Sequence, residues 1–303
     1  MIKRTLFFGN PAYLSLKNNQ LVVKKPDEEA KTVPIEDIGF LVLDNPRITM
    51  SNILLGTLLE NNCAVITTGA SHLPIGLFLP LMGNSLQSER FRAQIEASVP
   101  LRKQLWQQTV QQKIWNQAKV LQQVRGNLAK QMFTWSNEVR SGDSDNREAV
   151  AAAFYWKEMF PDIEDFRRDR YGKSPNNLLN YGYAILRGVV ARSLVASGLL
   201  PTLGIHHKNR YNAYCLADDI MEPYRPIVDK LIVQKLEELG EYPQELTTEL
   251  KTALLVIPVM DTYIDGKRSP LMNAVATTTT SLYRCYAGEN RKVLYPEVQD
   301  GTP

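Results

Sequence analysis

The pattern of apolar and polar positions changes period once along this chain, near residue 83. Before that point apolar residues alternate with polar ones over short runs. Leu14 and Leu16 do so ahead of Asn18-Asn19, and Leu21 and Val23 do so after it. Asparagine tolerates the positive φ angles of tight turns, so this spacing predicts a β-hairpin. Ile38 to Leu43 is an apolar run of strand length. A short helix is expected from Ser51, with Leu54, Leu55, Leu58 and Leu59 on one face, ended by Asn61-Asn62. Cys63 to Thr67 reads as a further strand, and Gly83-Asn84-Ser85 breaks the pattern.

Beyond the break the period becomes helical. Trp106, Val110, Ile114, Ala118, Leu121, Val124, Leu128, Met132 and Trp135 recur at steps of three and four, with Gly126 as a kink or break. Helical patterns continue over 177–197, 227–239, 246–257 and 269–286. The expectation is an α+β chain: a small β-rich domain over 1–83, then a larger all-helical domain over 84–303.

The face opposite the apolar stripe is expected to be basic. Arg102, Lys103, Lys113, Lys119, Arg125, Lys130 and Arg140 are accompanied by a single nearby acid, Glu138. Such a face is either merely solvated or a phosphate-contacting surface. The scarcity of acids favours the second and makes Lys113 and Lys119 candidates for DNA contact. Arg187 and Arg192 on the 177–197 helix are secondary candidates, since they could equally neutralise nearby acids.

Composition narrows the field without choosing within it. The chain has 303 residues, 44% of them hydrophobic and 22% charged, with a net charge of +3. That suits an ordinary globular protein and permits a nucleic-acid partner. Three scattered cysteines argue against a disulfide framework and for a reducing compartment. The first residues lack the apolar run of a signal peptide, and no apolar run reaches the roughly 18 residues of a membrane span. These features predict a soluble, cytoplasmic protein with no membrane partner.

Familiar sites are excluded in turn. There is no Walker A pattern, no HExxH and no CxxC spacing. The run from Asp143 to Glu148 fails as a calcium loop, since Arg147 stands at its fifth position and Glu148 where glycine belongs. Histidine is scarce: His72, His206 and His207. The adjacent pair follows a glycine- and proline-containing turn, which would present it whether as surface residues or as ligands. Asp219 and Glu222 are three apart and share a helical face, although Arg225 could simply neutralise Glu222. Asp145 and Glu148 have capping-box spacing, so Glu148 could merely close a helix end. Together, two carboxylates and one imidazole are compatible with a site for Mg2+ or Mn2+ rather than zinc, and hence with a metal-dependent hydrolase.

Four segments carry a resemblance. Arg147-Glu148-Ala149 through Trp156, Asn177 through Arg187, Gly198-Leu-Leu-Pro201-Thr-Leu-Gly204-Ile-His-His207, and Asp219-Ile-Met-Glu222-Pro-Tyr-Arg225-Pro226 resemble, in order and spacing, the integrase/endonuclease family of CRISPR adaptation. The resemblance extends over the whole chain, and the double histidine and Glu-Pro-Tyr-Arg-Pro wording are most similar to type II systems. It implies an N-terminal β-sandwich domain and a helical catalytic domain. It implies Glu148, His207 and Glu222 as catalytic metal ligands, with Asp219 and His206 behind them. It further implies a homodimer, two such dimers bridged by a small partner adaptation protein, and double-stranded DNA, both prespacer and repeat, as substrate. In type II systems an RNA-guided effector nuclease and a ring-shaped accessory protein join. The implied reaction is insertion of short duplex DNA into the array by 3′-hydroxyl attack on a phosphodiester. The alternatives are a general DNA-repair nuclease using the same ligands, and a non-catalytic nucleic-acid-binding scaffold.

Overall fold

The computed structural model describes residues 3–26, 28–70, 72–126 and 129–299. Leu128 of the apolar stripe lies outside them. The N-terminal part is two four-stranded sheets. One has β1 (Arg4–Phe8), β5 (Ile38–Leu43), β7 (Ala64–Thr68) and β8 (Pro74–Phe78) in that order. The other has β4 (Lys31–Pro34), β3 (Gln20–Lys24), β2 (Ala12–Lys17) and β6 (Ile48–Met50). The predicted hairpin joins β2 to β3, and Asn18 and Asn19 take φ of 52° and 55° at its turn, as a two-residue hairpin loop requires. Helix α1 (Asn52–Glu60) closes this layer with Leu54 and Leu58.

Strand β5 is apolar throughout because both its faces are covered. Leu41 and Val65 join a core with Leu14, Leu21, Leu54 and Leu58 between the sheets. Phe40, Val42, Ala64 and Ile66 belong instead to the large core of the helical part. The two parts are therefore sewn together across one sheet. A buried ion pair, Lys251 Nζ to Asp44 at 3.1 Å, reinforces the seam.

The helical part is organised on α3 (Val99–Arg125) and α6 (Asn176–Ala196), with α2 (Gln87–Ile95), α4 (Lys130–Glu138), α5 (Arg147–Met159), α7 (Cys215–Met221), α8 (Arg225–Leu239), α9 (Thr248–Leu254) and α10 (Leu271–Tyr286) around them. Ser98 caps α3 by accepting the amide of Leu101. Gly126, at φ 81°, ends it where the sequence places a break.

Two expectations need correction. The second part is not all-helical: β9 (Asp261–Ile264), β10 (Lys267–Pro270) and β11 (Pro296–Glu297) form a small antiparallel sheet. Ser269 lies in β10, so the last helix begins two residues later than its pattern suggests, after Pro270. Nor is the basic face uniform. Positions 106, 110, 113 and 117 are spaced to share one side of α3, which puts Lys113 within the apolar stripe rather than opposite it. Lys113 is 8% exposed. Arg125 is also engaged, donating to the carbonyl of Met159 and pairing with Glu237 at 2.9 Å.

Candidate metal centre

Glu148 enters on the first turn of α5. Asp143, not Asp145, caps that turn: its Oδ1 accepts the amide of Arg147 at 2.8 Å and its Oδ2 the amide of Glu148 at 3.1 Å. Asn146, in the left-handed region at φ 54°, makes the intervening bend. The capping-box reading of Glu148 is thereby overturned. Its backbone serves the cap, and its side chain is free to turn toward α3.

There it meets Lys113. The lysine Nζ lies 2.6 Å from Glu148 Oε1 and 2.6 Å from Glu222 Oε2. The contact with Glu148 is a hydrogen bond. The same ammonium pairs with Glu222, whose carboxyl it also helps to keep ionised. The other oxygen of Glu222 pairs with Arg225 at 3.1 Å, as the sequence allowed. Burial opposes the charge on Glu222, yet Arg225 and Lys113 outweigh it and hold the carboxyl below its ordinary value. Burial likewise opposes the charge on Lys113, and Glu222 and Glu148 overcome it, raising the ammonium above its usual range.

His207 follows from a tight turn. A Cβ on Gly204 would fall 2.4 Å from the carbonyl oxygen of His207 and 2.9 Å from a carboxylate oxygen of Asp219, so only glycine fits there. Asp219, fully buried on α7, accepts the amide of His206 at 2.9 Å and the Nδ1–H of His207. That bond fixes the proton on Nδ1 and leaves the Nε2 lone pair available. It is also the main cause of a raised imidazole pKa, with Glu222 and Glu148 adding to it. His206 points elsewhere, face to face with Trp106 at 4.3 Å between ring centroids.

The donor set, two carboxylates and one imidazole held by a carboxylate, suits a hard divalent cation. Among the described residues no three acidic, histidine or cysteine side chains stand close enough to hold an ion as they are placed. The position shared by Glu148 and Glu222 is taken by the Lys113 ammonium.

The proposed DNA-contacting residues are scattered. Lys113 is buried in the site and cannot serve as a solvent-facing contact. Lys119 lies over the rings of Trp115 and Phe133, 5.8 and 5.6 Å from their centroids. Arg187 pairs with Asp218 at 2.7 Å, its neutralising role. Arg192 donates to the carbonyl of Asn62 and lies over Phe40, at the seam with the sheet. Sequence reading missed the parts played by Lys113, Asp143 and Trp106. The helical register of 106, 110 and 113 was the signal that could have found the first and last.

A β-layered N-terminal part and a helical part that gathers Glu148, Glu222 and His207 define a two-part protein with an acidic–imidazole centre. The family model described as CRISPR associated protein Cas1 matches residues 6–255, and the chain belongs to that family. It is 37% identical over 300 residues to the CRISPR-associated endonuclease Cas1 of Neisseria meningitidis, covering 98% of this chain and 97% of that one. Its fold is similar to a casposase bound to its integration product, with a TM-score of 0.79 at 18% identity over 97% of this chain and 92% of that one. It is similar also to a chain of a Cas6-RT-Cas1–Cas2 complex, with a TM-score of 0.74 at 20% identity over 95% of this chain and 35% of that one. No described helix is long and apolar enough to cross a membrane.

Proposed function

We propose that this chain is a metal-dependent DNA endonuclease and integrase that inserts short duplex DNA into a CRISPR array. The observation that carries this reading is the meeting of Glu148 and Glu222 at one cation, 2.6 Å from each, beside an imidazole oriented by Asp219. The curated relative named an endonuclease and the casposase bound to an integration product support the same chemistry.

Glu148, Glu222 and His207 would hold Mg2+ or Mn2+, which when bound polarises a phosphoryl oxygen and offsets the charge that develops on it. The chain's own residues prepare that setting. Asp219 holds the ring of His207 in place and, in the neutral imidazole, keeps the proton on Nδ1, so that Nε2 faces the centre as the lone-pair nitrogen. Arg225 holds Glu222 as a carboxylate. The segment that follows His207 offers exposed Lys208, Arg210 and Tyr211, with the Arg210 guanidinium 4.7 Å from the Tyr211 ring centroid, a pairing suited to a nucleic-acid backbone and a base. A DNA 3′-hydroxyl placed there attacks a repeat phosphodiester, one P–O bond forming as another breaks. With water as the nucleophile the same site cleaves.

The chain would act as a homodimer on prespacer and repeat DNA, with a small adaptation protein bridging two dimers, as the Cas1–Cas2 complex suggests. The Glu-Pro-Tyr-Arg-Pro segment extends the reading to type II partners, an RNA-guided effector nuclease and a ring-shaped accessory protein. The test is strand joining into a repeat-bearing plasmid with Mn2+ and the partner protein supplied. Joining that disappears in Glu148→Gln is expected. Cleavage without joining would favour a repair nuclease, and the absence of metal-dependent turnover a scaffold.

A further inference from the structure

The charges around Glu222 already balance without a metal. Glu148 and Glu222 supply two negative charges, and Lys113 and Arg225 supply two positive ones, all on buried or half-buried groups. A divalent cation added to this set leaves an excess of positive charge in a poorly solvated place, which is costly unless a cation leaves or an anion arrives. Position makes the same point. Two carboxylate oxygens each 2.6 Å from a common centre hold that centre at about the distance they would hold a hard cation, ~2.0–2.6 Å. The ammonium and a metal cannot both be there.

The lysine also has somewhere to go. Gln117 is one turn further along α3, 3% exposed, and its Oε1 is a buried acceptor with no hydrogen-bond partner. Lys113 and Gln117 line one cavity of about 270 Å3, where Asp169 and Asp229 stand against Arg168, Arg170 and Arg225. Side chains four apart on a helix are neighbours, and four methylenes let Nζ swing within that span while α3 stays fixed. A buried acceptor without a donor costs free energy, so its presence beside the lysine calls for an occupant in some state of the site.

We propose that Lys113 is a built-in plug of the metal centre. Its Nζ holds Glu148 and Glu222 together while no divalent ion is bound, and it withdraws toward Gln117 and Asp229 when one enters. Metal binding is then an exchange of cations, not the filling of an open site. The proposal rests on the reading that Glu148 and Glu222 are metal ligands. It gives Lys113 a positioning and gating role, without contact to the reacting atoms. It also follows that a DNA phosphate arriving at the site favours the exchanged state, because it offsets the added charge.

The direct test is Mn2+ binding by calorimetry, without DNA, on the full-length wild type, Lys113→Met, Glu148→Gln and Glu222→Gln. Lys113→Met keeps an unbranched side chain, one atom shorter, and removes its charge. The plug predicts that this variant binds Mn2+ roughly tenfold or more tightly than wild type, since apparent affinity is scaled by the open fraction of the site. A merely structural lysine predicts the reverse: repelling carboxylates splay and affinity falls or stays unchanged, and either result overturns the proposal while leaving the metal centre standing. Mn2+ binding to wild type that neither glutamine variant weakens overturns the metal centre and the plug together. Should Lys113→Met not fold, a crystal structure of the wild type soaked in Mn2+ decides. Anomalous density between Glu148 and Glu222, with Nζ moved toward Gln117, supports the exchange. Nζ still seated between the two carboxylates with Mn2+ bound overturns it.

Discussion

His206 lies flat on Trp106, with an interplanar angle of 6°, while His207 meets the same indole edge-on at 87° and 5.7 Å. One aromatic side chain thus separates two adjacent histidines, packing His206 face to face and leaving His207, the proposed ligand, edge-on. His206→Ala is expected to uncover the indole, shift its fluorescence to longer wavelength and cost at most about 1 kcal/mol of stability. It should leave Mn2+ affinity within about twofold, because Asp219 still holds His207. His207→Ala is expected to lose at least roughly tenfold in Mn2+ affinity with little change in fluorescence. The opposite pattern would exchange the two assignments.

Asp143 and Glu148 divide the first turn of α5 in the same way, one capping it and the other using it as a platform. Asp143→Ala should lower stability by about 1 kcal/mol, the scale of a lost helix cap. Glu148→Gln should keep its capped turn and fold, losing the charged contact with Lys113 but not the cap, yet lose both strand joining and cleavage. Thermal melts beside an integration assay on the same preparations separate the two effects. A Glu148→Gln protein that joins DNA normally would remove this residue from the centre.

In the metal-free protein His207 should titrate above the ordinary imidazole value of 6.5, because the carboxylate of Asp219 favours the protonated ring. The sign is that of a group whose folded pKa is raised: its stabilising contribution is complete at low pH and fades as pH rises through the folded value. Metal must displace that proton, so Mn2+ affinity should weaken as pH falls through the same range. Asp219→Asn should move the NMR titration of His207 downward. An unmoved midpoint would dissociate Asp219 from the imidazole.

Asp229 gives a pH dependence of opposite physical origin. Burial pushes its carboxyl from 3.8 up to about 6, although the Tyr183 and Tyr155 hydroxyls that donate to it pull the other way. Between those values the native protein keeps a proton that the unfolded chain has released, so this group's contribution to stability declines as pH rises. Asp229→Asn removes the decline. The slope of unfolding free energy against pH over that window should become more positive by roughly 1.4 kcal/mol per pH unit relative to wild type, measured by denaturant titration. Parallel slopes would mean that Asp229 is ionised throughout.

Much of the architecture was readable because period and turn chemistry are local. The Asn18-Asn19 hairpin, the β5 run, α1 and the end of α3 at Gly126 all depend on residues close in sequence. The small β9–β10–β11 sheet was not, since β11 is a two-residue strand whose pairing with β9 is remote and unmarked by alternation. At the centre, Glu222 with its Arg225 partner was legible from helical spacing. The place of Lys113 was not, because a charged residue in an apolar stripe was assigned by its charge instead of its register. Only the fold shows that its partners come from α5 and the α7–α8 junction, 35 and 109 residues away. The different packing of the two histidines on Trp106 is visible only in three dimensions.

One buried amide joins the far end of the described chain to the turn that carries Glu222. Asn116, on α3, donates to the carbonyl of Pro223, beside Glu222, at 2.8 Å and to that of Pro296 at 2.9 Å, and it accepts the amide of Val298 at 3.1 Å. Strand β11 is therefore a buckle whose tongue passes within one side chain of the Glu222 turn. Trimming the chain back past Pro296 should loosen the Glu222 turn, even though no residue of the centre is touched. A reporter or purification handle attached after Gln299 leaves the buckle fastened, whereas one that pulls β11 away from β9 should be felt first as weakened cation binding.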